Sequence, residues 1–296
     1  MDTAVFQFPA IDRLHREKTD HIHAVLKAAL QPGARSDAAA YALAHHALAG
    51  AEHAARQRDL AAFTWYGQHP DVAGDRLTST PDGPFVLTPK ALRDDPTETG
   101  TPLYLIDQAT TPAHTQHRDL ITAAFEQAEA GGFAGLLARH AVVVCLLDHK
   151  PLNGTLRSWT STSLPGTVHT DHTGHAAILA RDLVHEAAHN WLNDALTATD
   201  VRLDPATTFY SPWKNTHRPA HGFIHACWAF SLITLYVARV LPTLSGDTEA
   251  HLTSYLDRQR TQLRIAGKDH GEALAAITSG DLRDRLHAVL TQALTV

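Results

Sequence analysis

Cysteine is almost missing from this chain of 296 residues, which carries only Cys145 and Cys227. No CxxC spacing exists, and that excludes both a zinc knuckle and a disulfide framework. The two thiols read instead as small buried hydrophobes, Cys145 in an apolar strand and Cys227 on a helix. Basic runs are missing as well. Lys and Arg total 25 against 31 Asp and Glu, a net charge of −6, so nothing marks a nucleic-acid or anionic-membrane surface. No apolar stretch reads as long and clean enough to span a bilayer. The start, Met1-Asp-Thr-Ala-Val-Phe-Gln-Phe-Pro9, lacks the charged end and apolar core of a signal peptide, so the expectation is a cytoplasmic protein. One further absence matters later: no glutamate lies between Glu186 and Glu249.

What is present is an ordinary globular composition, 44% apolar and 19% charged, in a chain long enough for an ample core. Apolar residues recur at three- and four-residue spacing over Asp12 to Ala29 and Asp37 to Ala62, with a break at Gln31-Pro-Gly33. Residues 67–102 are rich in Pro, Gly, Asp and Thr and read as an irregular linker with one apolar patch, Phe85-Val-Leu87. A helix is expected from His114 to Ala130, then a short helical piece to His140. Ala141 to Asp148 is a continuous apolar run of strand type, and Leu156 to Ser163 alternates. Gly166 to Thr170 follows as a short partner strand. Helices are expected over 176–196, from Pro219 to Val240, and near Gly246 to Ala266 and Gly280 to Leu294, with a polar loop at 193–218. The expected fold is α+β and mostly helical. Residues 1–135 form a helical N-terminal region with an irregular linker, and 136–296 form the catalytic region.

Among 22 histidines, two stand in Leu183-Val-His-Glu-Ala-Ala-His189, an HExxH motif. Four residues apart on a helix, His185 and His189 project from one face and can bind one metal ion together. Glu186 sits where zinc peptidases place a general base for a metal-bound water. On a helix over 176–196, Ile178, His185, His189, Leu192 and Leu196 share one stripe, widened by Val184, Ala188 and Trp191. The histidines therefore point inward with the apolar residues. A polar group buried without a partner costs about 1–3 kcal/mol, and a metal would offset that.

An HExxH pair needs a third ligand. The glutamate-free stretch after Glu186 removes the thermolysin-like ExxxD pattern, and Asn193 and Asp194 replace the continuation of a metzincin motif. The next helix offers His221 and His225, one turn apart. His225 is preferred because it lies deeper in the helix, past Gly222, whose missing side chain lets another element approach. His217 reads as a loop residue. Lys214 and Arg218 stand near the same helix start, where two cations and free N–H groups suit a carboxylate or phosphate.

Taken together, Leu183-Val-His-Glu-Ala-Ala-His189, Ser211-Pro-Trp-Lys214 and Arg218-Pro-Ala-His-Gly-Phe-Ile-His225 resemble the HExxH-motif proteins of bacterial ribosomal-peptide natural-product clusters. The resemblance covers about residues 160 to 240, with Lys214 where arginine is common, and does not extend to the first 130 residues. It implies an iron(II)- and 2-oxoglutarate-dependent peptide β-hydroxylase with a zincin-like helix packed on a small sheet. His185, His189 and His225 would hold the metal, and Glu186 would orient a water, a ligand or the peptide. Arg218, with Lys214 beside it, would pair with the cosubstrate carboxylate. A precursor peptide would be the partner, paired with a strand edge within Ser158 to Thr170. An all-histidine set also suits zinc, and a zinc-dependent hydrolase is the alternative.

Overall fold

The computed structural model describes residues 3–27, 35–72, 74–77, 83–95 and 101–296. In chain order these form α1 (Pro9–Leu26), α2 (Asp37–Gln57), α3 (Leu60–Gln68), β1 (Phe85–Leu87), β2 (Arg93–Asp94) and β3 (Pro102–Leu103). Then come α4 (Thr115–Ala130), α5 (Ala134–His140), β4 (Val143–His149), β5 (Ser158–Trp159), β6 (Thr167–His172) and α6 (Ala176–Ala198). The chain ends with β7 (Thr208–Ser211), β8 (Thr216–Pro219), α7 (Ala220–Val240), α8 (Gly246–Leu274) and α9 (Gly280–Ala293). The fold is α+β and mostly helical.

A four-stranded sheet of order β1-β4-β6-β5 stands between two helical layers. β1, β4 and β6 run parallel, and β5 closes one edge antiparallel to β6. Successive side chains on a strand face opposite ways, and β4 shows the consequence. Val144 and Leu146 join the core built on α6, while Val143 and Cys145 join a second core with Phe85, Leu87 and the alanine face of α2. Burial on both faces is why this strand reads as an unbroken apolar run. α6 packs on β6 and is enclosed by α1, α4, α5 and α7. The main core spans position 135, since Phe6, Phe8 and Ile11 pack in it with Trp191, and β1 from the earlier part pairs with β4.

Four expectations need correction. The helix expected over Asp37 to Ala62 is two helices, because Arg58 adopts a left-handed conformation (φ 58°) and the Asp59 carboxylate accepts from the N–H of Ala62 to start α3. The stretch 67–102 is more than a linker, since it supplies β1 to the sheet and pairs β2 with β3. The expected polar loop 193–218 contains the last turns of α6 and the hairpin β7–β8. Its turn uses Asn215 at φ 50°, which that residue tolerates well, with Asn215 Oδ1 accepting from the Tyr210 hydroxyl at 2.8 Å. Finally, Ala220–Thr243 is long and apolar enough to cross a membrane by length and composition. It lies for the most part inside the core between α6, α8 and α9, which is compatible with a soluble protein. The Gln31-Pro-Gly33 break lies outside the described residues.

Histidines are built into this core in neutral form. His46 and His169 are fully buried; His46 Nε2 is 3.0 Å from Thr167 Oγ1, and His169 Nε2 accepts from the N–H of Tyr104 at 3.1 Å. Burial pushes His46 down to about 3 and His169 down to about 4. Both folded-state values lie below the unfolded value near 6.5, so the contribution to stability is full above that pH. It is lost as pH falls from 6.5 toward 4, because the unfolded chain takes up protons that the folded one refuses. Urea unfolding should therefore give a stability lower by about 3 kcal/mol at about pH 5.5 than at about pH 7.5, since each of the two rings contributes about 1.4 kcal/mol over that interval. A flat profile over that interval would contradict the assignment.

Candidate functional site

The candidate site lies where α6 crosses α7, and two indoles fix that crossing. Trp191 and Trp228 stack with ring centroids 4.6 Å apart. Trp228 Nε1 donates to the Ala188 carbonyl at 3.0 Å, and Trp191 Nε1 donates to the Phe6 carbonyl at 3.2 Å. Asn190 ties α6 to the Thr167 and His140 carbonyls. Asp194, one turn on, accepts from His15 at 2.9 Å and faces His140 and Tyr41. These bonds lock the angular setting of α6, and so the direction in which its histidines point.

His185, His189 and His225 come together in this crossing. His185 Nε2 and His189 Nε2 are 3.1 Å apart, and His189 Nδ1 and His225 Nδ1 are also 3.1 Å apart. His225 is buried while the other two are partly buried. Burial holds His185 and His225 well below the ordinary histidine value, and burial with the Arg218 charge puts His189 at about 4. All three are therefore neutral near pH 7, the form that binds a metal.

These side chains fit a metal in residue type and charge state. Two nitrogens bound to one ion at about 2.0–2.1 Å lie roughly 3.0–3.4 Å apart, which matches the His185–His189 separation. His185 Nδ1 and His225 Nε2 are buried without a hydrogen-bond partner among the described residues. A closed set is not formed as the rings stand: among the described residues no group of three or more His, Cys, Asp or Glu makes a ready ligand cluster. The cause is His189, which turns one ring nitrogen to each neighbour, so a third bond requires a ring to reorient.

Glu186 is buried on the same face, its Oε1 4.0 Å from His185 Nε2. The Ser158 hydroxyl on edge strand β5 donates to that oxygen at 2.7 Å. Burial pushes the Glu186 carboxyl up to about 8, with Asp182 adding to the rise and the Ser158 bond opposing it.

A cleft of about 710 Å³ opens over these groups. β5 forms one wall, and the hairpin β7–β8 with α8 forms the other. Trp213 anchors the hairpin by stacking on Phe230 at 4.5 Å and donating from Nε1 to Gln259 Oε1 at 2.8 Å. Phe230 in turn lies 5.0 Å from the His185 ring.

Lys214 and Arg218 line the cleft from the hairpin, ahead of the α7 start rather than within that helix. The Arg218 guanidinium lies against Gly222, with Nη1 donating to the Gly222 carbonyl at 3.4 Å. A Cβ on Gly222 would meet Arg218 Nη2 at 2.9 Å. The element that approaches this glycine is thus the Arg218 side chain. The His221 ring lies tilted against that of His225 at 4.3 Å, on the exposed side, and His217 lies on β8 rather than in a loop. Sequence reasoning missed Ser158 as the partner of Glu186, and Tyr255 and Arg258, which reach the cleft from α8. Only Ser158, inside a segment already read as a strand edge, left any signal.

Compared with models of known protein families and with curated protein sequences, the chain matches none.

Because the clash at Gly222 is with the movable end of a side chain, Gly222→Ala should displace the Arg218 guanidinium and leave the fold intact. The unfolding free energy should stay within about 0.5 kcal/mol of wild type or rise slightly, since alanine favours a helix. The shift in melting temperature produced by succinate, a simple dicarboxylate probe, should shrink at the same time. An unchanged succinate response would show that Arg218 does not hold an anion there.

Proposed function

We propose that this chain is an iron(II)- and 2-oxoglutarate-dependent hydroxylase acting on a side-chain Cβ of a ribosomally made precursor peptide, in the cytoplasm. On this reading the fold around α6 is zincin-like. The observation that carries the proposal is the shared cleft, where neutral His185, His189 and His225 line the same space as the Arg218 guanidinium. A 2-oxo acid needs both a metal for its keto-acid end and a cation for its distal carboxylate. When bound, Fe(II) supplies the redox chemistry that couples loss of CO₂ from the cosubstrate to oxidation of a C–H bond by O₂.

The protein groups have separate duties. His185, His189 and His225 are the metal ligands. Arg218 fixes the cosubstrate carboxylate, its guanidinium seated by Gly222, and Lys214 adds positive potential at the mouth. Edge strand β5 has β6 on one side and the cleft on the other, so an extended peptide can pair with it by β-augmentation. Glu186, held by the Ser158 hydroxyl on that strand, keeps one carboxyl oxygen beside His185 and links the metal face to the peptide edge.

A zinc hydrolase is the second reading, favoured by the placement of Glu186 against His185, where a general base would stand. The readings separate on product. Purified protein given Fe(II), 2-oxoglutarate and O₂ should release succinate and CO₂ in equal amounts, slowly without peptide and faster with it. Arg218→Met should cut that turnover at least about tenfold by raising the cosubstrate requirement, in line with a lost charge-assisted bond. Glu186→Gln should keep cosubstrate binding. Peptide cleavage that needs zinc and vanishes in Glu186→Gln, with no succinate formed, would assign the hydrolase instead.

A further inference from the structure

At the C-terminal ends of β4 and β6 a second group of histidines surrounds a cavity of about 530 Å³, lined also by Gln116, Leu120, Leu147 and Gly174. His117 comes from the first turn of α4, His149 from the end of β4 and His172 from the end of β6. The strand register brings the last two together. β4 and β6 pair evenly up to Leu146 and Thr170, then shift so that His149 stands opposite His172. Such a bulge re-aims side chains at a strand end. His149 and His172 become cross-strand neighbours, with ring centroids 5.3 Å apart, and His117 completes the group 5.7 Å from His172.

Those spacings have a chemical meaning. An imidazole bound at about 2.0–2.1 Å places its ring centre roughly 3.2 Å from the ion, so two ligands of a tetrahedral ion have centres about 5.2 Å apart. Hydrogen-bonded rings would have their nitrogens satisfied; here His117 Nδ1 and His172 Nδ1 are buried without a hydrogen-bond partner among the described residues. His149 is exposed and gives solvent access to the group. As the rings stand they do not form a closed ligand set. The exposed His149 ring is the one free to turn.

We infer that His117, His149 and His172 form a metal site of their own, which takes a divalent transition ion of the zinc class and clamps α4 to the strand ends leading into α6. Three imidazoles suit zinc, with water in the remaining position. His172 stands four residues before Ala176, where α6 begins, so the ion would tie the segment entering that helix to the first turn of α4. The site is independent of the proposed reaction and shares no residue with the cleft over Glu186.

Co²⁺ titration of metal-free full-length protein, followed by visible absorption and by melting temperature, tests this. Wild type should bind two equivalents, and the ion at this site should raise the melting temperature by roughly 5 °C at saturating metal. His149→Ala, which removes an exposed ring, should fold normally, bind one equivalent fewer and lose that rise; His117→Ala should do the same. The double variant His185→Ala/His189→Ala should keep one equivalent that disappears when His149→Ala is added. A single equivalent in wild type that is lost with His149→Ala and kept without His185 and His189 would support this site and remove the metal from the cleft. Unchanged stoichiometry and melting temperature in both His149→Ala and His117→Ala would overturn the inference.

Discussion

The setting of α6 against α7 is the constraint on which the candidate site depends. Two indoles stacked at 4.6 Å, one donating to the α6 backbone at Ala188 and the other to Phe6, allow one angular position of the helices. A helix turns 100° per residue, so a slip of one residue would carry His185 and His189 away from His225. The N-terminal helix contributes directly: His15 on α1 donates to Asp194 on α6. Truncating the early part of the chain would therefore disturb the site, though among the described residues none of its side chains lines the cleft over Glu186.

Polarity inside that crossing is graded by partner. Asp194, Asn190 and the Arg181–Asp182 pair are buried with their hydrogen bonds largely made, which is the ordinary solution for polar groups in a core. His185 Nδ1 and His225 Nε2 are not so satisfied. Unsatisfied buried nitrogens weaken a fold unless a ligand takes them up, and their location in a cleft next to cations is where such a ligand would bind. The same reasoning, applied to His117 and His172, picks out the cavity at the C-terminal ends of β4 and β6. Other histidines, among them His45, His169 and His270, also carry a buried nitrogen without a partner; these two groups differ in that three or more rings line one cleft or cavity.

Much of this was legible in the residues. The period of apolar positions gave the long helices α6, α7 and α9 to within a few residues, and the unbroken run at 141–148 marked a strand buried on both faces. The inward stripe of His185 and His189 followed from helical spacing alone. Less legible was anything set by chain reversal or distant contact. Arg58 and Asn215 take left-handed conformations that split a helix and close a hairpin, and neither is a glycine that would have announced it. The bond from Ser158 to Glu186 joins residues on a strand and a helix, and Arg258 reaches the cleft from a helix whose pattern carries no sign of it. The pairing of His149 with His172 depends on a register shift, which local periodicity does not encode.

The central claim is that one cleft holds a metal through His185, His189 and His225 and a 2-oxo acid through that metal and Arg218. Anaerobic absorbance of the Fe(II)-loaded protein, recorded before and after 2-oxoglutarate is added, tests it without knowledge of the peptide. A weak visible charge-transfer band that needs both additions, and that is lost in His189→Ala, is the result this account requires. No band, with zinc held tightly through purification by the same three histidines, would contradict it.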